Sequence, residues 1–176
     1  MFQEAIAKQT AEYLRGHLEG YLEIVAARFT GTDRLTLKVP DIKSSTLVGG
    51  AMQADIKDLP AIGVDCLDKQ EIPSGESLCY YQYDGAIAGL VSASSAGDVD
   101  RLAKRHAAAI ELFVREHQFL HQFSTSDFTM REFIYVNTTF SGAIQLELEE
   151  EKPIWVDGFT HNVLWIASED QYRQHL

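Results

Sequence analysis

From about Phe2 to Phe29 the apolar residues Leu14, Leu18, Tyr21, Leu22, Val25 and Phe29 recur at intervals of three and four. That spacing predicts an amphipathic helix with a single apolar stripe. Glu4 and Lys8 make a favourable pair one turn apart on another side. Gly16 and Gly20 are also one turn apart; since glycine weakens a helix, they predict a close backbone approach by a second element. Thr30-Gly31-Thr32-Asp33 ends this helix. Leu35 to Val39 alternates apolar and polar and reads as a short half-buried strand stopped by Pro40. Between Asp41 and Lys57 the pattern dissolves around Ser44-Ser45 and Gly49-Gly50, so 41–57 reads as a long loop or extended arm. Leu59 to Leu67 begins with a nearly continuous apolar run suited to a central strand. Asp68 to Glu76 holds Pro73 and Gly75 and reads as a connection. Leu78 to Tyr83 and Ala86 to Ala93 flank Asp84-Gly85, a dipeptide suited to a two-residue type I′ hairpin.

Ser95-Ala96-Gly97-Asp98 leads into a second helix, with Asp98 as the expected N-cap. Leu102, Ala109, Phe113 and Leu120 share one face, which Ala103, Ile110 and Val114 widen. A stripe that broad belongs on a sheet, not in a coiled-coil seam. Phe133 to Thr139 and Ala143 to Glu149 alternate as strands. Ile154 to Ala167 is the longest candidate, with Trp155, Phe159, Val163 and Trp165 on one side. Helices set apart from runs of strands predict an α+β fold: a mostly antiparallel sheet covered on one face by two helices.

A chain of 176 residues suits a single domain, 1–176, with one substantial core. The hydrophobic fraction of 45% and charged fraction of 23% are ordinary for a globular protein. The net charge of -11 opposes unspecific adhesion to nucleic acid or anionic membrane. Arg101, Lys104 and Arg105, the densest basic group, read as a solvated helix face in preference to a phosphate site. Cys66 and Cys79 fall in predicted strands without metal-ligand spacing, so reduced thiols are expected over a cross-strand disulfide. The N-terminus lacks a signal-peptide pattern and no segment is long enough to span a bilayer, which predicts a cytoplasmic product with no membrane partner.

Candidate chemistry is sparse. His117 and His121 lie one helical turn apart, as metal ligands can, but Gln118 stands where a metalloprotease carries its glutamate. A polar helix end is the preferred reading. His17 reads as a packed histidine with a satisfied nitrogen, and His161, between Thr160 and Asn162, as solvent-exposed. Asp55 with Asp58, and Asp65 with Asp68, could be acid/base pairs, although an acidic chain produces such neighbours by chance. Glu147, Glu149, Glu150 and Glu151 look like a solvated strand end. Ser74 lacks a nucleophile elbow, and no phosphate-binding glycine loop occurs. The aromatics of the last strand have too few basic neighbours to predict base stacking. No catalytic residue, metal ligand or cofactor is expected.

The order of elements carries a resemblance. A leading helix, the strand Leu59 to Val64, the hairpin about Asp84-Gly85, the helix from Asp98 and the long strand with Trp155 and Trp165 together resemble the tail terminator (tail completion) proteins of long-tailed bacteriophages. The likeness spans most of the chain, on topological cues and no invariant residue set. It implies a non-enzymatic virion protein forming a homohexameric ring on the tail tube, docking to neck or head-completion proteins and, in contractile tails, to the sheath. DNA would meet such a ring only in passage, and identical subunits would close it through a head-to-tail interface. The arm 41–57 could supply part of that contact. Other readings are a different phage neck or connector component, a cytoplasmic adaptor, and a small-ligand or enzymatic α+β domain. The last would require a pocket of convergent polar groups near His161 or Asp157.

Overall fold

A computed structural model describes residues 2–44, 47–48, 51–52, 54–73, 79–118, 128–147 and 152–169. Two helices, α1 (Phe2–Ala27) and α2 (Ala96–Glu116), pack against each other and against one face of a six-stranded sheet. The strands are β1 (Asp41–Ser44), β4 (Ala61–Ile72), β5 (Cys79–Ala93), β6 (Phe128–Phe140), β7 (Ile144–Leu146) and β8 (Ile154–Glu169). Their spatial order is β1-β4-β5-β8-β6, with β7 continuing beside β8. Among the described pairs only β1–β4 is parallel; the others are antiparallel. The architecture is α+β, as the element order predicts.

The predicted stripe of α1 is buried through Leu14, Leu18, Leu22 and Val25, each at most 3% exposed, whereas Phe29 lies past the helix end and is 37% exposed. Val99, Ala103, Ile110, Phe113 and Val114 of α2 are sealed beside them. Each large side chain so buried contributes about 1.5–3 kcal/mol relative to exposure. The sheet answers with Ile62, Val64, Tyr83, Ile87, Phe133, Phe159, Val163 and Trp165. Ser95, not Asp98, caps α2: its side chain accepts from the Asp98 N–H, which puts Asp98 inside the first turn. Gly16 and Gly20 lie on an exposed face where an added Cβ would meet nothing, so no described element approaches there. Leu120 lies outside the described residues.

The hairpin predicted at Asp84-Gly85 does not form. Both residues sit inside β5, which pairs along its length with β4 and β8. The reason is on the facing strand. A Cβ on Gly85 would collide with the Trp165 ring and the Asp65 carbonyl, and one on Gly89 with the Phe159 ring. Both glycines therefore clear floor space for aromatic rings in place of turning the chain. β4 runs to Ile72 and β5 begins at Cys79, so Asp68 to Ile72, expected as a connection, is strand. A bulge between Cys66 and Asp68 leaves Leu67 half exposed.

Leu35 to Val39 is extended and alternates its burial but pairs with no described strand; it runs as a strap from α1 to β1. An apolar alternation reports which side chains face inward, not whether a neighbour supplies hydrogen bonds. The expected loop 41–57 holds more structure than its composition suggested. It contains β1, the paired segments β2 (Leu47–Val48) and β3 (Ala51–Met52), and a 3-10 turn at Ile56–Asp58 capped by Asp55. The β2–β3 pair lies beside β4 and β5. On β5, Ala86 and Ala88 alternate with the helix-facing Gly85, Ile87 and Gly89 and form a small buried cluster of their own. The expected strand through Glu149 is described only as Ile144–Leu146; Leu148 to Glu151 lie outside the described residues.

Candidate functional site

Polar side chains on the sheet are gathered beneath α2. On β8, every second residue from Trp155 to Ala167 faces the helices, which places Asp157 and His161 in the same row as Phe159, Val163 and Trp165. His161 is fully buried, contrary to the exposure its polar neighbours Thr160 and Asn162 suggested; those two occupy the opposite face. His161 Nδ1 lies 2.6 Å from Thr138 Oγ1, which lies 2.8 Å from the Tyr135 hydroxyl, and the ring also faces the Ala107 carbonyl of α2. Burial pulls the imidazole pKa down to about 4, with the Glu111 carboxylate and the Ala107 carbonyl pulling the other way. Asp157 accepts from the Gly158 N–H at 2.7 Å, yet burial holds its carboxyl above the usual range.

These are the groups a ligand pocket was expected to expose, and they are sealed. Two clefts flank the strap and neither is lined by Asp157 or His161. The first, about 80 Å³, lies among Thr36, Lys38, Pro60, Val91, Leu102 and His106. Its one imidazole is occupied structurally: His106 Nδ1 is 2.9 Å from the Leu102 carbonyl and Nε2 is 3.0 Å from that of Lys38. The second lies between α1 and the strap, against Glu19, Leu22, Glu23, Leu35 and Leu37.

The predicted basic face of α2 divides. Arg105 is 6% exposed, not solvated: its guanidinium donates twice to Asp33, one bond of 2.9 Å from Nη1 and a second from Nη2, and stacks 4.0 Å above the Phe29 ring. This fork holds the strap to α2, and it lowers the Asp33 pKa to about 2. Arg101 and Lys104 are exposed as expected and are matched within the helix by Asp98 and Asp100. No uncompensated cationic patch arises from the three. Cys66 is buried and Cys79 half-buried; neither is in a disulfide, and burial pushes Cys66 up to about 12. The acidic pairs stay local. Asp55 caps the 3-10 turn, and Asp68 accepts from the Lys69 N–H at the bulge.

His17 is exposed, with its Nδ1 2.9 Å from the Tyr13 carbonyl. His117 ends α2, its Nδ1 2.8 Å from the Phe113 carbonyl. The two rings meet across the helix pair beside Tyr13 and Tyr21, and the Tyr21 hydroxyl donates to Glu116 at 2.7 Å. Burial, and then that bond, raise the tyrosine pKa. Sequence spacing offered His121 as the companion of His117, but His121, Ser74 and His175 lie outside the described residues. Among the described residues no group of three or more His, Cys, Asp or Glu side chains could hold a metal ion.

Large apolar side chains do reach the surface. Val136 and Phe140 on β6 and Ile144 on β7 are 46–59% exposed, along the edge of the sheet opposite β1. Ile24 and Val39 are about half exposed beside the second cleft's end of α1 and the strap. No described helix is long and apolar enough to cross a membrane.

No protein-family model and no curated protein matches this chain. Among solved structures there is a match. The chain is similar to one described as "Virion of native gene transfer agent (GTA) particle", at 11% identity and a TM-score of 0.43, over 94% of this chain and 99% of that one.

Proposed function

We propose that this chain is a structural subunit of a phage-type virion, acting as a tail terminator: a homohexameric ring that caps the tail tube and joins it to the neck or head. The order of helix, strands, covering helix and long closing strand supports this reading, as does the destination of the reactive side chains. Arg105, His106 and His161 are spent on internal contacts, whereas Val136, Phe140 and Ile144 present apolar surface along the β6–β7 side of the sheet. That exposed side is the observation on which the proposal rests, because apolar surface left on a rim marks a place for a neighbour. The subunit thus works through mating surfaces, without catalysis, cofactor or membrane, and DNA passes without specific binding. Its neighbours are copies of itself, the tail tube protein, a neck or head-completion protein and, in a contractile tail, the sheath.

The test is co-production with the tail tube protein of the same gene neighbourhood, followed by light scattering and negative-stain imaging. A six-fold ring on tube ends is expected. Replacing Val136 and Ile144 with Asp should leave the circular dichroism unchanged and abolish the ring. A chain that remains monomeric both alone and with tube protein refutes the proposal.

A further inference from the structure

We propose that His17 and His117 form a two-imidazole site for a divalent transition-metal ion, bridging α1 and α2. Each ring is held by the same device: its Nδ1 lies against the carbonyl four residues earlier in its own helix, at 2.9 Å from Tyr13 and 2.8 Å from Phe113. Because a carbonyl only accepts, Nδ1 carries the hydrogen, and the lone pair of each neutral imidazole falls on Nε2. A backbone carbonyl fixing one ring nitrogen is how metal-binding histidines are oriented and made more basic.

The separation fits. With metal–nitrogen bonds of about 2.0–2.1 Å, two imidazoles on one tetrahedral ion have ring centroids about 5 Å apart. Here they are 5.6 Å apart with planes at 65°. The rings come from different helices and are walled by Tyr13, whose ring centroid is 4.1 Å from His17 and 5.2 Å from His117. His17 is exposed, which gives an ion a path in and leaves room for waters to complete its shell. Imidazole donors suit nickel, copper and zinc ions and reject magnesium and calcium.

Titration of metal-stripped protein with Ni²⁺ alone, followed by calorimetry and thermal melting, tests the site. One ion per chain is expected, with a melting midpoint that climbs with Ni²⁺ concentration, since an ion held by both helices binds the folded chain preferentially. Mg²⁺ should produce neither effect. His17→Ala removes an exposed side chain and should melt normally without metal, yet lose both the binding and the shift. His121→Ala should keep both, which separates this site from a pair formed along one helix. Binding that survives His17→Ala, binding that disappears with His121→Ala, or no saturable Ni²⁺ binding overturns the inference.

Discussion

The buried imidazole of His161 makes stability depend on pH below neutrality. Its pKa is about 4 in the folded chain against about 6.5 when free, so the unfolded chain binds the extra proton between those values. Stability from this group is therefore complete above pH 6.5 and is lost as pH falls toward 4. The drop from 6.5 to about 4 corresponds to about 3 kcal/mol in full, of which about 2 kcal/mol is gone by pH 5. A domain stability of about 5–15 kcal/mol makes that loss easy to measure. The assay is urea unfolding at several pH values between 7 and 5, for the wild type and His161→Leu. The variant's absolute stability will differ through lost contacts, but only the slope against pH matters. Wild type should lose about 2 kcal/mol more than the variant across that range. Equal slopes would refute the reasoning, as would an NMR titration in which all six histidines protonate near pH 6.5. Asp157 acts in the opposite sense: its raised pKa favours the folded chain at low pH and disfavours it as pH rises, and it is common to both proteins.

Gly85→Ala should destabilise by about 1–3 kcal/mol in urea unfolding, because the methyl meets the Trp165 ring and the Asp65 backbone. Gly20→Ala, on an open helix face, should instead stabilise by up to about 1 kcal/mol in the same assay. Arg105→Ala removes the fork that ties the strap to α2; hydrogen exchange should accelerate across 33–40 while the β5–β8 ladder keeps its protection. At pH 8, thiol labelling of the folded chain should modify Cys79 well before Cys66, whose burial keeps it protonated and covered.

Layer order was readable from periodicity because burial enforces it: the α1 stripe from Leu14 to Val25, the wide face of α2 and the alternation of β8 all lie where their spacing put them. Failures arose where a residue's identity carries two meanings. Asp84-Gly85 has turn chemistry, and only the bulky Trp165, eighty positions later in the chain, makes the glycine a matter of space. His161 was misplaced by reading its neighbours' polarity; its parity with Phe159 and Val163 already set it on the inner face. Arg105 looked solvated because its partner Asp33 is distant in sequence. The pairing of His17 with His117 was likewise hidden, since it depends on how two helices cross.

The place of β8 has a consequence for how the chain is made. It follows every other described strand in sequence, yet it lies between β5 and β6 and is the sole described partner of β6 and β7. A nascent chain emerging from the ribosome can zip β4 onto β5 early, but β6 and β7 must wait unpaired until residues 154–169 clear the exit tunnel. Completion of the sheet is thus a late insertion into its middle, and that interval is when the chain is most exposed to wrong pairing with its own copies.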